Sequence, residues 1–325
     1  MRIKNSKQQI IPCDQEPAAT MTQQRLAAID VGTNTIRCII VEVDEKIGFR
    51  VLDDEKSTVR LGEGLSETGV ISTAAWERAR EALLRMAKIT AGLGVSFIEA
   101  VATSAVRKAD NGGTFVAAMK KDTGIDIRVI GGEEEAELAA LSARHHFDMA
   151  NTRFGLIDIG GGSVEIVTAT GIHIEEVFSL ELGAVFLTEK FLGSDPISGK
   201  QMAELRKHLR KTLSRKLADH EFALQCLIGS GGTITNIGSM VMARRNEQYD
   251  SIHGYEVLHS EIVHLLAVLE RKTCKERRDI TGLSPERADI IVAGVAAVDA
   301  LMHALGTNLL RINERGIREG LIIRS

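Results

Sequence analysis

The chain has 325 residues, enough for two hydrophobic cores, and its 44% hydrophobic and 26% charged content is that of a globular protein. Aromatic residues make up only 4%, which argues against a nucleic-acid binder built on base stacking, and the net charge of −4 supplies no whole-chain basic field for an anionic polymer. Cys13, Cys38, Cys226 and Cys274 have no CxxC spacing and read as reduced thiols of a cytoplasmic protein, and no apolar run reaches membrane-spanning length.

Residues 1–24 are polar, lack a signal-peptide core and read as a flexible tail, with Met21 as a second candidate start. The stretch AAIDVGTNTIRCIIVEVD (27–44) then runs an apolar strand into Asp30, passes through Gly32, Thr33, Asn34 and Thr35, and resumes as a strand. That is a hairpin signal, and its loop of small and hydroxyl residues reads either as a plain turn or as a cradle of backbone N–H groups for a phosphate. A further strand, GFRVLDDEKST, precedes a helix over 73–92 with Trp76, Ala79, Leu83, Met86 and Ala87 on one face. A buried strand is expected to end at Thr103-Ser104, followed by Arg107, a helix over 112–121 and the strand DIRVI.

GGEEEAELAALSARHHF opens the second half as a helix whose acidic start suits the macrodipole. GLIDIGGGSVEIVTAT (155–170) repeats the layout of the first hairpin: a strand to Asp158, a turn of Gly160, Gly161, Gly162 and Ser163, then a strand carrying Glu165. Asp158 lies 128 residues after Asp30, and recurrence of one unusual unit predicts two similar halves facing each other as jaws. A basic amphipathic helix follows over 198–218, carrying Arg206, Lys207, Arg210, Lys211, Arg215 and Lys216. It reads by default as a solvated face and, more sharply, as a track for a linear polyanion. CLIGSGGTITNIGSM predicts strand, turn (Gly231, Gly232, Thr233) and helix. SPERADIIVAGVAAVDALMHALG predicts one helix capped by Ser284 with Pro285 in its first position, and NLLRINERGIREGLIIRS a strand and a short helix.

Nine segments in this order, IDVGTNTIR, VRLGEGL, ATSAVRKADNG, GGEEEAEL, IDIGGGSVEI, SLELGAVFLTEKF, IGSGGT, SPERADIIVAG and GIREGLI, span residues 27–322. Together they resemble the exopolyphosphatase / guanosine pentaphosphate phosphohydrolase family of the actin–Hsp70–sugar kinase superfamily. Thr33 and Thr35 stand where serines are commoner, which keeps the hydroxyls, and Val164 stands where a Thr is usual, which removes one.

The resemblance implies an α/β chain of two ribonuclease-H-like domains around a cleft, 25–130 and 131–311, with 312–325 packing back on the first. It implies hydrolysis of a terminal phosphoanhydride with Mg²⁺ as cofactor. Glu135 is the expected catalytic residue, orienting and deprotonating water, where the residues alone read as a solvated helix start; Arg107 is expected to hold phosphate. Asp158 and Glu165, with Asp30 from the opposite jaw, are the expected metal ligands. The two hairpin loops are expected to bind phosphate. Gly231, Gly232 and Thr233 are placed against guanosine or a further phosphate unit, and Arg60 is a weaker phosphate candidate. Expected partners are inorganic polyphosphate and guanosine pentaphosphate or tetraphosphate, with no nucleic acid and no membrane, in a homodimer. Two rival readings stay open: a weakly catalytic sensor of guanosine tetra- or pentaphosphate, and a small-molecule kinase of the superfamily. The chain stops after GIREGLIIRS, so the helical domain of longer family members is expected to be absent, with early release of long polyphosphates. The cleft is expected to hinge near Ile130, Gly131 and Gly132.

Overall fold

In the computed structural model, which describes residues 24–44 and 48–325, the two sequence repeats become two hairpins of one design. β1 (Arg25–Val31) and β2 (Thr35–Asp44) pair antiparallel with Asp30 opposite Arg37, and the turn is closed by the Gly32 N–H donating to the Thr35 carbonyl at 3.0 Å. β6 (Arg153–Ile159) and β7 (Val164–Thr170) pair with Asp158 opposite Glu165, closed by Gly160 N–H to the Ser163 carbonyl, again at 3.0 Å. The expected tail lies outside the described residues apart from Gln24.

β3 (Gly48–Thr58) completes the first meander. α1 (Leu65–Thr68) and α2 (Thr73–Gly92) lead to β4 (Phe97–Ala102), which runs parallel to β1, and α3 (Ser104–Lys108) and α4 (Gly112–Thr123) lead to β5 (Ile127–Val129). The sheet order is β3-β2-β1-β4-β5. After α5 (Gly132–His146) and the second hairpin come β8 (His173–Leu180), α6 (Ala184–Phe191), α7 (Gly199–Leu217), β9 (Cys226–Ser230) and α8 (Gly232–Arg244). They are followed by β10 (Glu256–Leu258), α9 (His259–Leu269), α10 (Cys274–Arg277), α11 (Ile291–Ala304), β11 (Leu309–Ile312) and α12 (Ile317–Arg324). The second sheet, β8-β7-β6-β9-β11, repeats the first strand for strand and adds β10 antiparallel to β11. The fold is thus two ribonuclease-H-like α/β lobes.

Period-two alternation decides which helices cover which face. Ala27, Ile29 and Val31 of β1 point into a core shared with α2 and α4. Leu26 and Ala28 point the other way, against Leu138 of α5 and Ile317, Leu321 and Ile322 of α12. The opposite side of α5, Ala136, Ala139, Ala140 and Ala143, packs on Phe154, Leu156 and Val167 of the second sheet. So α5 lies between the two sheets, and α12, packed on the first sheet, crosses it where Gly320 meets the Leu138 backbone so closely that a Cβ would not fit. Burying Leu138 and Leu321 stabilises this junction by roughly 1.5–3 kcal/mol each.

Three local expectations change. The buried strand stops at Ala102, and Ser104 opens α3 instead of ending β4. Trp76 and Ala87 are only partly buried on α2, whose core positions are Ala75, Ala79, Ala82, Leu83 and Met86. The single helix from Ser284 is broken: Pro285–Arg287 is a 3-10 turn and α11 starts at Ile291, while the Ser284 N–H is taken by Asn236 Oδ1 at 2.7 Å. Tertiary contacts override helix propensity here. Glu286 pairs with Lys56 at 2.7 Å and Asp289 with Arg60 at 2.6 Å on the other lobe, while Arg287 is buried over Gly232. Among the described residues no helix is long and apolar enough to cross a membrane.

Candidate active site

The hairpin loops of the two lobes meet at one cavity of about 460 Å³. A Cβ on Gly161 would lie 2.9 Å from Thr33 Cβ, and one on Gly162 would lie 2.5 Å from Ser104 Oγ, so only glycines allow the jaws to approach this closely. The second loop is also seated from behind. The N-terminal amides of α6 donate to it, Ala184 N–H to Gly160 O at 3.0 Å and Val185 N–H to Gly161 O at 2.9 Å, which satisfies amides a helix start leaves without partners.

Most expected site residues reach this cavity. Asp30, Gly32, Thr33, Asn34, Thr35, Glu135, Asp158, Gly160, Gly161, Gly162, Ser163, Gly231 and Gly232 all line it. Three take other places. Thr233 turns its side chain into α11 against Gly294, and Thr235 and Asn236, two and three residues on, reach the wall instead. Glu165 is fully buried behind the wall and accepts from Ser179 Oγ at 2.9 Å. Arg107 stands behind Glu135, donating to its Oε2 at 3.2 Å and to the Ile130 carbonyl at 2.6 Å. Arg60, the weaker phosphate candidate, is spent on Asp289 and the Glu286 carbonyl.

The carboxylates have unusual electrostatics for a common reason. Burial pushes Asp30 up to about 7, with Arg318 pulling down and Asp158 pushing up. Burial likewise takes Asp158 up to about 6, the Ser230 hydroxyl opposing, and Glu165 up to about 7, where the charge of Asp158 adds to it. Glu135 is held well above the usual carboxylate range by burial and then by Glu165, against the pull of Arg107. Buried acids that are this proton-hungry and this close suit proton transfer or a dication.

For a metal, the fit rests on the pair Asp30 and Asp158. Both face the cavity from opposite lobes, each is pushed up by burial, and Asp30 Oδ1 is buried with no hydrogen-bond partner among the described residues. Among the described residues there is no cluster of three or more His, Cys, Asp or Glu side chains arranged to hold an ion. Mg²⁺ does not need one, since it takes one or two carboxylates and completes its octahedron with waters and phosphate oxygens.

Sequence reading missed the cations. Arg37, Lys56, Arg287, Arg315 and Arg318 line the same cavity, Arg318 fixed by Asp54 at 2.6 Å. Arg37 Nε, Asn34 Nδ2 and Ser104 Oγ are buried donors without partners among the described residues. The Arg37 signal was present: the spacing that carries Asp30 onto Asp158 also carries Arg37 onto Glu165. The duplicated hairpin therefore has a cation at one site and an acid at its counterpart. Arg287 and Arg318 carried no such signal, because the segments holding them are far away in sequence.

The chain matches the model of the Ppx/GppA phosphatase family over residues 39–325. It is 32% identical over 317 residues to Exopolyphosphatase 2 of Mycobacterium tuberculosis, covering 93% of this chain and 99% of that one. It is 30% identical over 308 residues to Exopolyphosphatase 1 of Mycobacterium leprae, covering 92% and 89%. Among solved structures, an exopolyphosphatase from Cytophaga hutchinsonii superposes with a TM-score of 0.85 at 28% identity, covering 92% of this chain and 96% of that one. The Aquifex aeolicus Ppx/GppA family member does so with a TM-score of 0.78 at 26% identity, covering 93% and 97%.

Proposed function

From the premise that this chain belongs to the Ppx/GppA phosphatase family and is a phosphoanhydride hydrolase, we propose that it releases the terminal phosphate of inorganic polyphosphate. The observation that carries the reading is the set of partnerless buried donors, Asn34 Nδ2, Arg37 Nε and Ser104 Oγ, on the wall that also holds Glu135. Donors fixed in the wall of this cleft suit phosphate oxygens, and the buried carboxylate beside them suits a water.

Glu135 accepts the proton of the attacking water at its carboxylate, and burial, which raises its proton affinity above that of an ordinary carboxylate, strengthens it as a base. Arg107 acts through Glu135, fixing the carboxylate by its 3.2 Å contact and pulling against the upward push of burial. The hairpin-loop amides and hydroxyls position the terminal phosphoryl group, and Arg37, Arg287 and Arg318 neutralise the phosphates behind it. Mg²⁺, held by Asp30 and Asp158, would supply charge neutralisation on the phosphate oxygens when bound.

Glu135→Gln tests the assignment. Phosphate release should fall by roughly 10²–10⁴-fold while polyphosphate still binds. Turnover near that of the unchanged protein removes Glu135 from the chemistry. A second reading, guanosine pentaphosphate, is favoured by one feature: Ile39, Phe49 and Val51 give the cavity an apolar wall on which a base can lie. Phosphate release measured side by side on polyphosphate, guanosine pentaphosphate and ATP, with and without Mg²⁺, separates the two.

A further inference from the structure

α7 has a composition that packing alone does not account for. Its buried stripe, Met202, Leu205, Leu209, Leu213 and Leu217, supplies the core contact, and a capping box from Ser198 and Gln201 starts it. The rest carries seven cations, Lys200, Arg206, Lys207, Arg210, Lys211, Arg215 and Lys216, against one acid, Glu204. Arg206 is paired with Glu270 at 2.8 Å, whereas Lys207, Arg210, Lys211, Arg215 and Lys216 are exposed and have no carboxylate partner among the described residues. Lys207 and Lys211, and again Lys211 and Arg215, are four residues apart, a spacing at which like charges destabilise a helix. In a chain of net charge −4 this ridge is a local reversal that costs stability.

The ridge is joined to the cavity. Ser104 of α3 lines the cavity, and Lys108 follows one turn later, its Nζ 5.8 Å from the Phe186 ring. Lys190, also on α6, lies 5.0 Å from the same ring and 5.7 Å from Phe191. Phe191 packs against His208 of α7 at 4.8 Å, and the charges of Lys190 and Lys211 both bear on that imidazole. Cations therefore follow one another from α3 across α6 to α7, with Glu181, paired to Lys108 at 2.5 Å, as the acid on the path. From Lys207 to Arg215 the ridge runs about 12 Å along the helix.

We propose that this ridge binds the distal part of a long inorganic polyphosphate whose terminal unit occupies the cavity. The inference rests on the polyphosphatase reading above. A linear chain with a charge at every unit matches a linear row of unpaired cations, and the second contact is intramolecular once the end is seated, so it raises affinity without altering the cleft.

The test compares the unchanged protein with Lys207→Glu/Lys211→Glu/Arg215→Glu, and with the milder Lys207→Gln/Lys211→Gln as a check on folding. Inorganic tripolyphosphate and a long polyphosphate serve as probes, in turnover and in direct binding titrations across a salt series. The expected result is at least tenfold weaker binding and higher KM for the long chain, a shallower salt dependence, and unchanged kcat and KM on tripolyphosphate. Equal losses on both substrates, or no loss on the long chain, overturn the proposal. So does weakened binding of duplex DNA or phosphatidylserine vesicles with long-chain binding intact, since the ridge then serves another polyanion. If the unchanged protein hydrolyses neither substrate, the polyphosphatase reading has failed, while the binding titrations still decide the ridge.

Discussion

Replacing Gly183 by Ala tests how the second hairpin loop is held. Gly183 sits at φ −68° and ψ 153°, a conformation Ala adopts freely, so the backbone offers no objection. Space does. A Cβ there would lie 2.5 Å from the Gly162 carbonyl carbon and closer still to Gly161, where ordinary contact begins near 3.4 Å. The loop must retreat by about 1 Å, and the α6 amides that bond to Gly160 and Gly161 must stretch with it. Overpacking of this kind costs about 1–3 kcal/mol. Misplacing a positioning group by about 1 Å costs on the order of 10²-fold in rate. Phosphate release from tripolyphosphate should therefore fall roughly 100-fold in kcat/KM, with a lowered melting temperature. Gly113→Ala is the control: nothing lies within 4 Å of its Cβ, and a helical Gly→Ala change should gain up to about 1 kcal/mol. A Gly183→Ala protein with turnover within about twofold of the unchanged one, and the same melting temperature, refutes the seating of the loop on α6.

Arg60→Ala should loosen the latch between lobes, because it removes the Asp289 pair and the bond to the Glu286 carbonyl, leaving Lys56–Glu286 as the ion pair to the first lobe on that segment among the described residues. The pair is about one-third exposed on each side and worth ~0.2–1 kcal/mol, so the open fraction should rise up to about fivefold; faster amide exchange at 286–290 is the readout, and unchanged exchange counts against it. Glu134 should contribute acid-sensitive stability. Hydrogen bonds from Arg128 and Arg324 hold its carboxyl down at about 2, so the contribution is complete above the ordinary carboxylate pKa and is lost as pH falls from about 4.5 through 2. Glu134→Gln should then cost up to about 1 kcal/mol at pH 7 and almost nothing near pH 2, and an equal cost at both pH values contradicts the pairing.

What could be read from the sequence was whatever depends on neighbours in the chain. The hairpins and the boundaries of α2 follow from alternation and periodicity, and the duplicated spacing gave the two-lobe plan. What could not be read depends on partners far away in sequence. The break before α11 exists because Glu286, Arg287 and Asp289 answer to Lys56, Gly232 and Arg60. Glu133, Glu134 and Glu135 are indistinguishable as letters. In space, Glu135 is buried in the cavity wall and Glu134 is pinned by Arg128 and Arg324. Thr233 was expected at the site because it follows two glycines, but helical phase turns it inward and brings Thr235 to the wall.

The placement of α12 has a consequence for how the molecule is made. The first sheet is complete once β5 has been synthesised, yet its rear face, Leu26, Ala28, Ile39, Val41 and Val101, is covered by residues of α5 and α12. Roughly 190 residues must leave the ribosome between β5 and α12, on the order of tens of seconds at typical elongation rates. Through that interval the N-terminal lobe presents an apolar surface that α5 covers only in part. A ribosome stalled before residue 317 would hold both sheets with the α12 side of this face still bare, so arrival of α12 is what removes the adhesive patch.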